Sequence, residues 1–438
     1  MNLDEFKKIM DNVDLTGSEM FQLMTKLYPI CRSITGNGVR QTLAEIKNHI
    51  DLKVNEIPTN KKVFDWTIPK EWNISDAYVL DPKGNKVVDF KKSNLHVVSY
   101  SVPISKKMPL EELKQHIHTL PDQPNTIPYL TTYYKDDWGI CMTHNEFLKL
   151  QAGEYEVVID STLNDGSLTY GEFLIKGKTS EEILISCYVC HPSMCNDNLS
   201  GVVLATALAK QLSKIQMNYS VRFLFIPETI GAITWLALNE KNLSKLKHGL
   251  VATCLGDPGV STYKKTKHGK AEIDRTVEFV LKNSGKQYQI LDFFPTGSDE
   301  RQFCSPGFNL PVGSLMRTPY GRFQQYHTSD DNLEFVKAEF LADTYRKYLN
   351  TIFVLENNKK YLNLNPKCEP QLGKRGLYRQ IGGQKTSKDS EAAMFWLLSF
   401  SDGSHDLIDI SEKSGIQFEI LHDVALKLQE SKLLKAVT

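Results

Sequence analysis

No stretch of this 438-residue sequence stays apolar for the roughly 18 residues that a membrane-spanning helix needs. The opening run, MNLDEFKKIMDNVD, is an acidic amphipathic pattern without the basic and then apolar order of an export leader. A soluble, cytoplasmic protein is therefore expected. Neither charge is in surplus, with Lys and Arg totalling 52 and Asp and Glu totalling 52, so no global basic field marks nucleic acid as the main partner. Cysteine is sparse at eight residues, which in this setting predicts reduced thiols rather than a disulfide framework. Also missing are a Walker loop and a dinucleotide fingerprint; GKTSEE at Gly177 lacks the preceding glycine of a phosphate loop. Ser193 or Ser200 with His327 and Asp331 would make a serine triad, but no G-x-S-x-G elbow presents either serine. What remains is a globular composition, 41% hydrophobic and 24% charged, long enough for two or three domains.

Residues 1 to about 50 read as helices. Ser18 stands as a cap before the stripe Met20, Leu23, Met24 and Leu27, with a stop near Pro29, and a second helix is predicted over 42–50. Between them, RSITGNGVR (Arg32 to Arg40) reads as a Gly-punctuated turn with two solvated arginines; the competing reading is a loop that lies over a site and binds an anion. From about 57 to 134, short β patterns alternate with turn signals, and DPKGN from Asp81 predicts a hairpin. At Glu154 the pattern changes. EYEVVIDSTL, LTYGEFLIKG and EEILISCYVC are successive strands, the last apolar almost throughout, as for a strand covered on both faces. A helix over 202–212, a strand over 221–228, a strand over 249–257, a helix over 271–285 and a strand over 310–316 follow. This alternation predicts an α/β fold with a mostly parallel sheet and helices on both faces, whose ligands sit beyond the carboxyl ends of the strands. From about Ala392, three short helices, the second and third split by SGIQ, resemble a winged-helix module. Its third helix, Phe418 to Glu430, has no Arg, so protein contact or packing is expected there rather than DNA binding, and a homo-oligomer is compatible with it.

Four groups fall just past predicted strands of the one sheet: His191, Asp197, Glu228 and His327. Imidazole and carboxylate are the usual ligands of catalytic zinc, and an unliganded carboxylate nearby can take a proton from water. Cys187, Cys190, His191 and Cys195 offer a competing cysteine zinc site, but the odd spacing of the first two along a strand turns them to opposite faces, which favours buried thiols. Arg317, Tyr320, Arg322 and Tyr326 precede His327 and are either substrate contacts or a solvated loop.

The motifs CHPSMCNDNLSGVVLATALA, RFLFIPETIGAITWL, GSDERQFCSPGFNLPV and YHTSDDN, in this order over about 155–355, resemble the zinc-dependent aminopeptidases, whose fold is shared with bacterial secreted aminopeptidases and glutamate carboxypeptidases. Arg32 to Arg40 and the whole domain order also resemble a little-characterised bacterial group of aminopeptidase-like proteins with an inserted β domain and a C-terminal winged helix. The resemblance implies a zinc-exopeptidase-like domain over 1–56 and 135–365, an inserted β-rich domain over 57–134 and a winged-helix-like domain over 366–438. It implies that His191 binds a metal, that Asp197 bridges or binds it, that His327 completes the shell and that Glu228 is the general base. Asp257 is the expected further ligand, with Cys254 as the alternative, and Gly201 would let the helix behind the site approach closely. Ser193 departs from the family, which has an aspartate orienting the histidine there. Thr229 departs too, standing where a second glutamate would hold a second zinc, so one tightly held ion is expected, or a second one held weakly. The expected function is metal-dependent cleavage of a peptide or small amide; the alternative is a catalytically degenerate peptidase fold kept as a binding or regulatory module.

Overall fold

The apolar runs of the sequence become strands of one eight-stranded sheet in a computed structural model, which describes residues 1–377 and 388–437. Its strands are β1 (Lys53–Pro58), β2 (Ser167–Ile175), β3 (Glu182–Tyr188), β4 (Ser220–Ile226), β5 (Leu246–Val251), β6 (Ser261–Lys264), β7 (Tyr288–Leu291) and β8 (Val312–Met316). They lie in the order β1-β2-β4-β3-β5-β8-β6-β7. The centre, from β4 through β3 and β5 to β8, is parallel, whereas β1, β2 and β6 join by antiparallel pairing, so the sheet is mixed with a parallel heart. Every residue of β3 is buried, which explains its unbroken apolar pattern. Ser200–Leu212 packs on β3 and on the helix Val13–Leu27; covered on several sides, it is built from Val, Ala and Leu almost throughout.

The chain divides into two compact units, Asp11–Leu349 and a second made of Met1–Met10 with Asn350–Thr438. Within the larger unit, Glu71–Leu80, Lys86–Asp89, Ile104–Pro109 and Glu154–Asn164 form a four-stranded sheet. Glu154–Asn164 pairs on both edges, with Glu71–Leu80 and Ile104–Pro109, so this sheet draws its longest strand from beyond residue 134. The pairing follows from alternation: Tyr155, Val157 and Ile159 point into one core with Ala77, Val79 and Met108. The expected hairpin is present, with the Asp81 carboxylate accepting from the N–H groups of Lys83 and Asn85, both at 2.8 Å.

Two N-terminal expectations are corrected. Ser18 is not a cap; it lies inside the helix Val13–Leu27, its hydroxyl donating to the Asp14 carbonyl, because the buried stripe reaches back through Thr16 to Val13. The second helix is Asn37–Lys47, beginning inside the supposed loop, where Gly36 takes φ +96° to make the turn. The predicted strand over 249–257 also stops early, at Val251, and residues 252–257 bend toward the site.

The smaller unit holds the helices Lys388–Phe400, Leu407–Ser414 and Phe418–Glu430 and a sheet of Asp402–Asp406, Lys360–Asn363 and Leu434–Ala436. The apolar tail of the sequence is thus the last strand, paired antiparallel with Lys360–Asn363. Among the described residues no helix is long and apolar enough to cross a membrane.

Candidate metal centre

Just past the carboxyl end of β3, three donor groups converge. His327 Nε2 lies 3.0 Å and His191 Nε2 3.9 Å from Asp197 Oδ2, and all three donor atoms fall within 4.8 Å of one another. Asp197 Oδ2 and His327 Nε2 are both buried with no hydrogen-bond partner. Buried polar atoms without partners are costly, so a carboxylate oxygen and an imidazole nitrogen left facing each other fit a cation as the missing partner. Two imidazoles and a carboxylate are a donor set suited to zinc. Among the described residues no other His, Cys, Asp and Glu set converges in this way. Glu228 stands beside the group, its Oε2 3.8 Å from His191 Nε2, with a quarter of its side chain exposed.

Asp257 does not join the cluster. Its oxygens accept from the Thr318 hydroxyl, the Gly259 N–H at 2.7 Å and Asn196 Nδ2 at 3.0 Å, which makes it a tie between loops. Cys254, the alternative, is a buried thiol that also lies outside the converging set. The cysteine zinc reading likewise fails. Cys187 donates to the Leu224 carbonyl within the sheet, and Cys190, past the end of β3, sits with Sγ 3.4 Å from His191 Nδ1.

Long-range contacts hold these side chains in place. The Asp331 carboxylate accepts the N–H groups of Asn196 at 2.6 Å and of Asp197 at 2.8 Å, fixing the loop that presents Asp197. Gly201 begins the helix behind it, and a Cβ there would lie 2.1 Å from the Ala252 carbonyl oxygen, so the close approach expected of this glycine is real. Arg32, read from sequence as a solvated turn residue, is buried; its Nε donates to the His191 carbonyl at 2.9 Å and its Nη1 to the Leu27 carbonyl at 2.7 Å. Arg40 forms ion pairs with Glu56 and Glu71, so neither arginine offers itself to a free anion over the site. Ser193 does not orient His191: its hydroxyl donates to the Tyr28 carbonyl and accepts from Asn94 Nδ2.

Burial pulls the His191 pKa down to about 4, with His327 and Arg32 adding to the effect and Asp197 opposing it, so the imidazole is neutral and able to ligate near neutrality. Burial would raise Asp197, but His191, His327 and the Tyr188 hydroxyl hold it at about 2. Glu228 is raised well above the carboxylate range by burial and then by Asp299 and Asp197. Asp299 itself is raised to about 7, chiefly by burial. The position after Glu228 is closed: Thr229 donates its N–H to Asp299 at 2.7 Å and accepts from Arg301 Nη2 at 3.0 Å.

Aromatic rings wall the centre. Tyr129, 4% exposed, lies 5.2 Å from the His191 ring and 5.1 Å from the His327 ring, and Tyr326 stacks on His327 at 4.0 Å. Tyr129 reaches the site because the Tyr129 N–H donates to the His327 carbonyl and Pro128 bridges to Thr328. Of the loop residues considered for substrate contact, Tyr326 is at the centre, while Arg317 pairs with Asp343 and Tyr320 bonds Lys264 and Glu300. Sequence reasoning missed Tyr129, Tyr188 and Asp299; a tyrosine closing a fully buried strand is the one local signal, at Tyr188.

With this geometry in view, comparisons place the chain among known proteins. Residues 21–358 match the model of a domain of unknown function, DUF4910, and residues 359–436 match a winged helix-turn-helix. The chain belongs to the DUF4910 family. A Clostridium acetobutylicum protein is 58% identical over 99% of this chain and all of its own length; it carries the provisional name of a polysaccharide biosynthesis protein with an aminopeptidase-like domain. A crystal structure from the same organism, provisionally named a peptidase, matches this DUF4910 chain with a TM-score of 0.94 at 57% identity, covering 99% of this chain and all of the other. A zinc aminopeptidase from Bacillus subtilis gives a TM-score of 0.57 at 13% identity over 79% of this chain and 95% of its own. A peptidase M28 precursor from Shewanella amazonensis gives 0.55 at 14% over 81% and 97%. This DUF4910 protein therefore has an aminopeptidase-like α/β fold followed by a winged helix.

Proposed function

We propose that this protein is a metal-dependent hydrolase of the aminopeptidase type, with His191, Asp197 and His327 as zinc ligands and Glu228 as the general base. The observation that carries the reading is the pair of buried, unpartnered atoms, Asp197 Oδ2 and His327 Nε2, aimed at the same point as His191 Nε2. Zinc, when bound there, supplies Lewis acidity toward a carbonyl and lowers the pKa of water toward about 7. Glu228 then takes a proton from the attacking water and returns it to the leaving amine; a carboxyl raised by burial suits both halves of that task. Tyr129 and Tyr326 pack against the imidazoles and fix their orientation, and Asp299 holds the backbone next to Glu228 in place. The name of the Clostridium relative puts amides on sugars beside peptides among the substrates to assay.

Glu228→Gln tests this reading. The variant is expected to keep its zinc and lose turnover on aminoacyl amides by about 10²–10⁴-fold, the usual worth of a general base. Full activity in that variant would remove Glu228 as the base. The degenerate-fold alternative, favoured by Thr229 and Ser193, gains the upper hand if the zinc-loaded wild type turns over no amide at all.

A further inference from the structure

The two oxygens of Asp197 live in different surroundings. Oδ2 is unpartnered and faces both imidazoles, whereas Oδ1 accepts a hydrogen bond from the Tyr188 hydroxyl. That phenol is in turn 2.7 Å from Thr253 Oγ1. Because the phenol proton goes to the carboxylate, the Thr253 hydroxyl is the donor to the phenol oxygen. The Tyr188 ring is buried and packs 5.1 Å from the His191 ring, so it has little freedom to swing aside. The position after Glu228 in the sequence supplies no carboxylate, since Thr229 stands there with its N–H and hydroxyl already engaged.

We infer that Tyr188, buttressed by Thr253, holds Asp197 by Oδ1 and thereby turns Oδ2 toward the two imidazoles, which sets how tightly the centre holds its ion. This rests on the metal-centre reading above and goes beyond it by naming the residue that orients Asp197. Ligands about 2.0–2.1 Å from a tetrahedral zinc stand roughly 3.4 Å from one another. The observed separations of 3.0 Å and 3.9 Å from Oδ2 bracket that value, so the three donors converge on a single point. Tyr188 is thus a positioning residue: it touches neither ion nor substrate, but it selects which oxygen of Asp197 serves as the ligand.

The test counts and weighs zinc on the chelator-treated full chain, by calorimetric titration and by metal analysis after gel filtration. Wild type is expected to take up one equivalent. Tyr188→Phe, which removes the hydroxyl and keeps the ring, is expected to weaken zinc binding about 10–100-fold, as loss of an outer hydrogen bond to a ligand does. Thr253→Val should shift binding in the same direction by less. Melting of the metal-free proteins separates this from general destabilisation, and if Tyr188→Phe fails to fold, Thr253→Val decides. Unchanged zinc affinity in both variants would overturn the inference while leaving the hydrolase reading standing. No zinc uptake by the wild type would instead sink the metal-centre reading itself.

Discussion

The two sides of the centre are built on opposite principles. On the side of Asp197, donor atoms are left deliberately unpaired: Oδ2 and His327 Nε2 have no partner, although the loop around them is tied down by Asp331, Asn196 and Arg32. On the side of Thr229, the N–H and hydroxyl each have a partner, in Asp299 and Arg301. Thr229 has spent its own polar groups on its neighbours, while Asp299 Oδ2 and Arg301 Nε beside it are buried without partners. The difference teaches that Thr229 serves as scaffolding at the position where the resemblance to the zinc aminopeptidases implies a second metal ligand.

That contrast can be broken by substitution on either side. Asp331→Ala removes the acceptor of two buried backbone N–H groups, each worth about 1–3 kcal/mol when left unpaired, so a loss of roughly 2–6 kcal/mol is expected in urea denaturation, together with weaker zinc binding. A wild-type zinc affinity in this variant would mean that the loop does not need its anchor. Thr229→Ala should cost about 1 kcal/mol through the lost Arg301 bond and leave zinc affinity alone, because Thr229 contributes no donor. A large drop in zinc affinity there would place Thr229 on the binding side and erase the contrast. Away from both sides, Arg40 is hydrogen-bonded to both carboxylate oxygens of Glu71 and holds it at about 2, below its ordinary 4.5. A carboxylate depressed in the folded state adds stability above the unfolded value and loses it as pH falls through the folded one. Between pH 4.5 and 2 the wild type should therefore lose this contribution, and Arg40→Ala should flatten that part of the acid profile. An unchanged profile would show the pair to be fully screened.

Much of this arrangement is legible along the chain, and the reason is local. The parallel heart of the sheet follows from apolar runs such as β3, and His191, Asp197 and Glu228 fall where strand ends put ligands. What could not be read depends on distance in sequence. Arg32 meets His191 across 159 residues, and Asp331 meets Asp197 across 134, with no periodicity to announce either contact. Arg32 looked like a solvated turn residue because its burial is created by the chain folding over it. The resemblance implies Asp257 as a ligand at the end of a strand, but β5 ends at Val251 and the bend that follows carries Asp257 to Thr318 and Asn196. Ser18 misled in a simpler way: a residue with good capping chemistry is no cap when the apolar stripe continues past it.

The most direct test of the account is a zinc titration of the metal-free protein beside its His327→Ala variant. Tight uptake by the wild type that disappears in His327→Ala is the predicted result, since it removes one of the three converging donors while leaving the fold intact. Tight uptake that survives the substitution, or none in the wild type, would contradict it.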